Sequence, residues 1–255
     1  MINSRVPLRQ VSGSYMDLYI SDRSEWRKEK DLVLVVPGGG YFFCNEREAE
    51  CVALAFCSFG FNSAVLNYST GEEDFYPVQL SELAMAIDYI KKNNLSRRVY
   101  ICGFSAGGHL AASIAVLGGE EDCLRGFDTK VDGIILSYPV LLSGEFENKR
   151  TLDNLCGDNT SLRKKMNLVD KINSNLPPFF IWHTYEDEAV LLENTLFFVN
   201  GLRKAGVPFE YHVFQHGAHA LSLATESSAR DESEINEHVA TWFKMAIMWL
   251  KELGK

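Results

Sequence analysis

Apolar positions along the chain fall into short β-rich runs that alternate with longer stretches carrying a helix-like apolar face. Residues 15–20 (Y-M-D-L-Y-I) predict an early edge strand. Residues 32–36 (L-V-L-V-V) are continuously apolar, as in a strand covered on both faces. Further strands are predicted at 63–68, 98–102, 132–138, 179–183 and 209–214. Helical patterns lie between them. One starts near Glu46 and runs to about Phe59, and another spans 78–92 with Leu80, Leu83, Ala84, Ile87 and Ile90 on one face. Others cover 106 to about 117, 189–205 with Gly206 as its cap, and 234–253.

Such β-α alternation implies an α/β fold, a mostly parallel sheet with helices on both faces. Ligands bind such sheets at the carboxyl ends of the strands. Residues 140–176 are polar and irregular and read as an excursion over one end of the sheet. A length of 255 residues with 46% hydrophobic content supports one substantial core. The expectation is therefore a single domain over 1–255, with 140–176 a small cap-like insertion.

Charge narrows the partners. The formal net charge of −9, without a Lys/Arg run, disfavours a phosphate backbone, so no nucleic acid partner is expected. A neutral small molecule remains compatible. No stretch approaches the roughly 18 apolar residues of a membrane span, and the N-terminus lacks the apolar core of a signal peptide. The six cysteines form no C-x-x-C pair or zinc pattern, and several lie in apolar runs. They read as free thiols in a reducing compartment, which places the chain in the cytoplasm. Oligomeric state stays open. The early strand is either an edge or a pairing surface for a second copy, which would give a homodimer.

Gly103-Phe104-Ser105-Ala106-Gly107 fits G-x-S-x-G. The pattern is weak alone, but an apolar strand enters it and a small-residue helix leaves it, as a nucleophile elbow requires. The sharp turn needs almost side-chain-free neighbours two residues either side of the serine, and Gly103 and Gly107 meet that need. Ser105 is the candidate nucleophile. Pro37-Gly38-Gly39-Gly40-Tyr41 follows the strand at 32–36, and three glycines let the backbone turn its amides toward a ligand. The amides of Gly39, Gly40 and Ala106 are the candidate oxyanion hole. Neither the phosphate-loop nor the dinucleotide pattern is present, and the cysteines sit in no Cys/His zinc pattern, so no cofactor or metal is expected.

A general base has to come from a loop at the catalytic end of the sheet. His212 lies in a predicted strand, His238 in the last helix and His109 one turn beyond the elbow. His216 and His219 both follow the strand at 209–214, and His219, after Gly217-Ala218, is favoured. His183, ending a strand, is the main decoy. The acid should leave the preceding strand. There W-H-T-Y-E-D-E supplies Glu186, Asp187 and Glu188; Asp187 is the choice and Glu186 its rival.

P-G-G-G-Y, N-Y-S, Y-P-V-Q-L, G-F-S-A-G-G-H-L-A, W-H-T-Y-E-D-E, A-G-V-P-F-E-Y-H-V-F and H-G-A-H occur in this order from about residue 32 onward. Through them the chain resembles the α/β-hydrolase esterases of the acetyl xylan esterase-like type and, more broadly, the hormone-sensitive-lipase-type carboxylesterases. The resemblance implies an α/β-hydrolase fold with Ser105 as nucleophile, His219 as base, Asp187 as acid and an oxyanion hole from Gly39, Gly40 and Ala106. Pro37 stands where many such lipases have histidine, which moves the chain toward the acetylesterase-like branch. Ala220 follows the base where glycine is common, and Glu186 replaces a frequent Asp.

The implied activity is two-step hydrolysis of short-chain, acetyl esters, with acetylated sugars or xylan fragments as the alcohol part. Tyr41, Phe42 and Tyr76 are candidates to narrow the pocket. Rival readings are an arylformamidase, a small peptidase on the same fold, and a hydrolase-fold binding protein without catalysis.

Overall fold

The computed structural model describes residues 2–9, 13–20, 30–71 and 75–255. Among the described residues eight strands form one sheet: β1 (Ile2–Pro7), β2 (Tyr15–Ile20), β3 (Leu32–Val36), β4 (Asn62–Asn67), β5 (Val99–Phe104), β6 (Gly133–Ser137), β7 (Phe179–Thr184) and β8 (Phe209–Phe214). Their order is β1-β2-β4-β3-β5-β6-β7-β8. β1 and β2 pair antiparallel, β2 is antiparallel to β4, and every other pairing is parallel. This is the α/β-hydrolase architecture.

Alternation along the strands divides the interior into two cores. Leu32, Leu34 and Val36 face one side, with helices α2 (Val78–Lys92), α3 (Ala106–Val116) and α6 (Glu193–Ala205). Val33 and Val35 face the other, with α1 (Glu50–Ser58) and α7 (Glu237–Leu253). Every residue of β3, β5, β6 and β7 is buried, which explains why these strands read as continuous apolar runs.

Four expectations need correction. Residues 15–20 are not an edge, because β1 pairs with β2 along its whole length from Ile2–Ile20 to Pro7–Tyr15. I-N-S-R-V-P has no apolar run to announce it, and its proline suits an outer strand. The helix expected from Glu46 breaks at Ala49, leaving a 3-10 turn at Glu46–Glu48 before α1. The helices expected from residues 189 and 234 start at Glu193 and Glu237 instead, the second after a separate 3-10 turn at Glu232–Glu234. The amides of Ala189 and Val190 are occupied by the carboxylate of Asp187, which holds the stretch before Glu193 as a loop. Gly206 does end α6 in the left-handed region, with φ of +75°.

Residues 140–176 contain two short helices, α4 (Lys149–Cys156) and α5 (Thr160–Lys165). Leu152, Leu155 and Cys156 of α4 pack into the core. Among the described residues no helix is long and apolar enough to cross a membrane.

Candidate active site

β5 ends in the middle of the sheet and delivers Ser105 at a backbone of φ +50° and ψ −115°, a conformation that stores strain for a non-glycine residue. The glycines around it are sterically required. A Cβ on Gly103 would lie 2.5 Å from the Gly107 carbonyl oxygen, and one on Gly107 would lie 2.1 Å from that of Val36. The Ser105 amide donates to the Ser137 carbonyl, and the Ser105 carbonyl accepts from the amides of His109 and Val140. The turn is thereby fixed on both sides, and the serine side chain is left at the start of α3.

The loops after β7 and β8 bring their side chains to this point. Ser105 Oγ lies 2.8 Å from His219 Nε2. On the other side of the ring, His219 Nδ1 lies 2.6 Å from Asp187 Oδ2. A carboxylate only accepts, so Nδ1 carries the proton and Nε2 is left to accept from the serine hydroxyl. Asp187 is 2% exposed. Its Oδ1 accepts from the amides of Ala189 and Val190, and its Oδ2 also accepts from His183 Nε2. Burial pushes this carboxyl group up, but the hydrogen bonds from His183 and His219 outweigh it, and the group is held well below the ordinary carboxylate range.

The rivals are placed elsewhere. Glu186 turns outward and accepts from His216 Nδ1 at 2.7 Å and from the Gly217 amide. The two side chains form a half-exposed surface pair beside the buried one. His212 bonds Glu210 on β8, and His238 packs on Phe214. His109 is buried against the Tyr41 hydroxyl, 2.8 Å away. His183 belongs to the site after all, bound to Asp187 rather than to the serine, with Nδ1 3.2 Å from the Thr195 hydroxyl. Its place in the sequence, next to Trp182 near the end of an apolar strand, carries no signal of that role.

Gly39 and Gly40 have φ of +117° and +63°, the left-handed region that favours glycine. Among the described residues their amides and that of Ala106 donate to no protein group. The same two glycines wall, with Ser105 and His219, an open cavity of about 790 Å³. Phe43, Arg47, Thr151 and Arg230 also line it. Tyr41, Phe42 and Tyr76 do not: Tyr41 is core, and Phe42 lies on a separate small pocket with Phe75. Two residues that no sequence motif marks fasten the glycine loop. Asn154 of α4 donates to the Gly40 carbonyl, and buried Glu48 accepts from the Gly38 amide at 2.8 Å. Ala220 has φ of +64°, which accounts for glycine being common after the base. Among the described residues no three His, Cys, Asp or Glu side chains converge to hold a metal ion.

A hydroxyl bonded to an imidazole, itself bonded to a buried carboxylate, beside unpaired amides, is equipped for acyl transfer. The family described as BD-FAE matches residues 16–202. The endo-1,4-beta-xylanase B of Butyrivibrio fibrisolvens is 34% identical over 212 residues, which are 78% of this chain and 33% of that protein. Esterase LipQ of Mycobacterium tuberculosis is 26% identical over 223 residues, 80% of this chain and 53% of that one. This chain thus spans a third to a half of the length of these relatives. Among solved structures, an acetyl ester-xyloside bifunctional hydrolase from Caldicellulosiruptor lactoaceticus superposes with a TM-score of 0.86 at 32% identity, covering 98% of this chain and 96% of that one.

Proposed function

The chain belongs to the BD-FAE family of α/β-hydrolase esterases, and we propose that it is a carboxylic ester hydrolase that removes short acyl groups, acetyl above all, from acetylated sugars such as xylan fragments. The observation that carries the proposal is the unbroken hydrogen-bonded row Ser105–His219–Asp187, at 2.8 and 2.6 Å, opening on a cavity walled by Gly39 and Gly40. The similarity to the acetyl ester-xyloside hydrolase supports the choice of acyl and alcohol parts.

In this reading Ser105 Oγ attacks the ester carbonyl while Nε2 of His219 takes its proton. Asp187 holds the ring with Nδ1 protonated and stabilises the imidazolium. The oxyanion is received by the amides of Gly39, Gly40 and Ala106, each worth about 3–4 kcal/mol in the transition state. His219 then protonates the leaving alcohol, and water repeats the sequence on the acyl-enzyme. Residues 140–176 act as a small cap whose α4 walls the cavity through Thr151. The thiols of Cys44, Cys51 and Cys57 donate to the carbonyls of Tyr68, Arg47 and Tyr19.

The test is a panel of acetylated xylo-oligosaccharides, aryl acetates, an aryl octanoate and N-formylkynurenine, with products read by NMR. Acetate release from the sugars and faster turnover of aryl acetate than of octanoate are expected. Equal turnover of the two aryl esters defeats the short-acyl reading, and preference for the formamide replaces it with an arylformamidase. Ser105→Ala is expected to abolish labelling by a fluorophosphonate; stoichiometric labelling that persists removes Ser105 from its role.

A further inference from the structure

The 3-10 turn Glu46–Glu48 places Glu48 between the two loops that meet at Ser105. Glu46 and Glu50 on either side of it are exposed, whereas Glu48 is 1% exposed. Its two oxygens serve different loops. Oε2 accepts from the Gly38 amide at 2.8 Å, and a Cβ on Gly38 would touch both this oxygen and Ser105 Cβ. Oε1 accepts from the Tyr138 hydroxyl at 2.8 Å.

Tyr138 carries the connection onward. Its hydroxyl accepts from the Ser222 amide at 2.9 Å, three residues past His219, and its ring meets the His219 ring edge-on with centroids 5.0 Å apart. Because the Tyr138 oxygen is an acceptor for Ser222, its proton goes to Glu48, both of whose oxygens accept; burial pushes this carboxyl group up, and the Tyr138 and Gly38 donors pull part of the way back. The residue before Glu48 reinforces the link. The Arg47 guanidinium donates to the Ala220 carbonyl, and the Arg47 carbonyl accepts from the Ser222 hydroxyl. Burying a carboxylate costs free energy unless it is hydrogen-bonded, and here the donors that offset the cost come from two different loops, Gly38 and Tyr138.

We propose that Glu48 is the positioning residue that keeps the glycine loop and the His219 ring in register around Ser105. It touches neither nucleophile nor base by hydrogen bond and acts through Gly38 on one side and Tyr138 on the other. The inference rests on the hydrolase reading above.

Glu48→Gln preserves shape and an acceptor for Gly38 but takes away the acceptor for the Tyr138 proton. Tyr138→Phe cuts the same link from the other end. Displacing catalytic groups by a fraction of an ångström lowers turnover more than binding. The expected result with p-nitrophenyl acetate is a fall in kcat of about tenfold or more for each variant, with KM within about twofold. The double variant is expected to lose no more than the worse single one, since both break one link. Circular dichroism and thermal melting establish that the proteins compared are folded. Should Glu48→Gln fail to fold, Tyr138→Phe carries the same kcat and KM comparison. A smaller fall in kcat, a loss that appears in KM, or effects that multiply in the double variant each overturn the proposal. Ser105→Ala runs in parallel: its loss of turnover upholds the hydrolase reading, so a failure of the Glu48 comparison then counts against the positioning role alone.

Discussion

His183 meets Asp187 at the same carboxylate oxygen that His219 uses, Oδ2, at 3.1 Å against 2.6 Å. One acid thus joins two imidazoles, one facing the serine and one locked in the core. His183 Nε2 also donates to the Val190 carbonyl, so the histidine ties the acid to its own loop. His183→Leu leaves that carbonyl and the Thr195 hydroxyl without the ring. A loss of about 1–3 kcal/mol in urea unfolding is expected, together with a fall in kcat at unchanged KM. Unchanged kcat would mean that the amides of Ala189 and Val190 orient Asp187 unaided.

Asp187 and Glu186 are neighbours in sequence and opposites in setting. Asp187→Asn is expected to lower kcat by roughly 10,000-fold, through loss of the correct His219 tautomer. Glu186→Gln removes a half-exposed partner of His216 and is expected to leave kcat within about twofold. Steady-state kinetics on one aryl acetate compares them directly, and a reversal of the two effects would falsify the choice of acid.

Burial of His109 pushes its imidazole down to about 4. Its folded value lies below the ordinary value of about 6.5. The unfolded chain therefore takes up the proton first, and stability falls as the pH drops from about 6.5 to about 4. In full this amounts to about 3 kcal/mol. Asp187 acts in a lower window: its contribution is complete above the ordinary carboxylate value near 4 and is lost only as the pH falls further. Urea unfolding between pH 7 and 4 is expected to show a steep decline for the wild type and a flatter one for His109→Gln. Parallel slopes would mean that His109 is not held neutral in the fold.

The glycine loop separates its members sharply. A Cβ on Gly39 would come 2.0 Å from the Phe43 carbonyl oxygen, so Gly39→Ala forces the loop open. The nearest atom to a Cβ on Gly40 is Thr151 Oγ1 at 3.5 Å. Gly40→Ala therefore meets only the cost of a left-handed backbone, about 1–2 kcal/mol. Side-by-side kcat/KM values are expected to show near-complete loss for Gly39→Ala and a partial loss for Gly40→Ala.

What the sequence made legible followed from local rules. The elbow glycines, the strand before Ser105 and the helix after it are contiguous, so one motif described them all. The distribution of Ser105, Asp187 and His219 over three carboxyl-end loops could be read because parallel strands leave such loops at one end of the sheet. Relations settled by distant contacts were hidden. β1 owes its existence to pairing with β2, not to its own apolar content. Nothing local separates Glu48 from Glu46 and Glu50; the break at Ala49 turns it inward. His183 reads as a rival base because a strand-end histidine gives no sign of whether it faces Ser105 or Asp187.

The position of α4 has a consequence for how substrate arrives. Asn148, at its start, donates to the Ala189 carbonyl beside the acid, and Asn154, further along, donates to the Gly40 carbonyl. The helix is thus pinned at both ends to two loops of the site, and Arg150 and Thr151 from it line the same open cavity as Ser105. A wall fastened in this way has nothing to unlatch at an oil–water boundary, so the rate should follow the concentration of dissolved ester smoothly, without a jump where droplets or micelles begin to form.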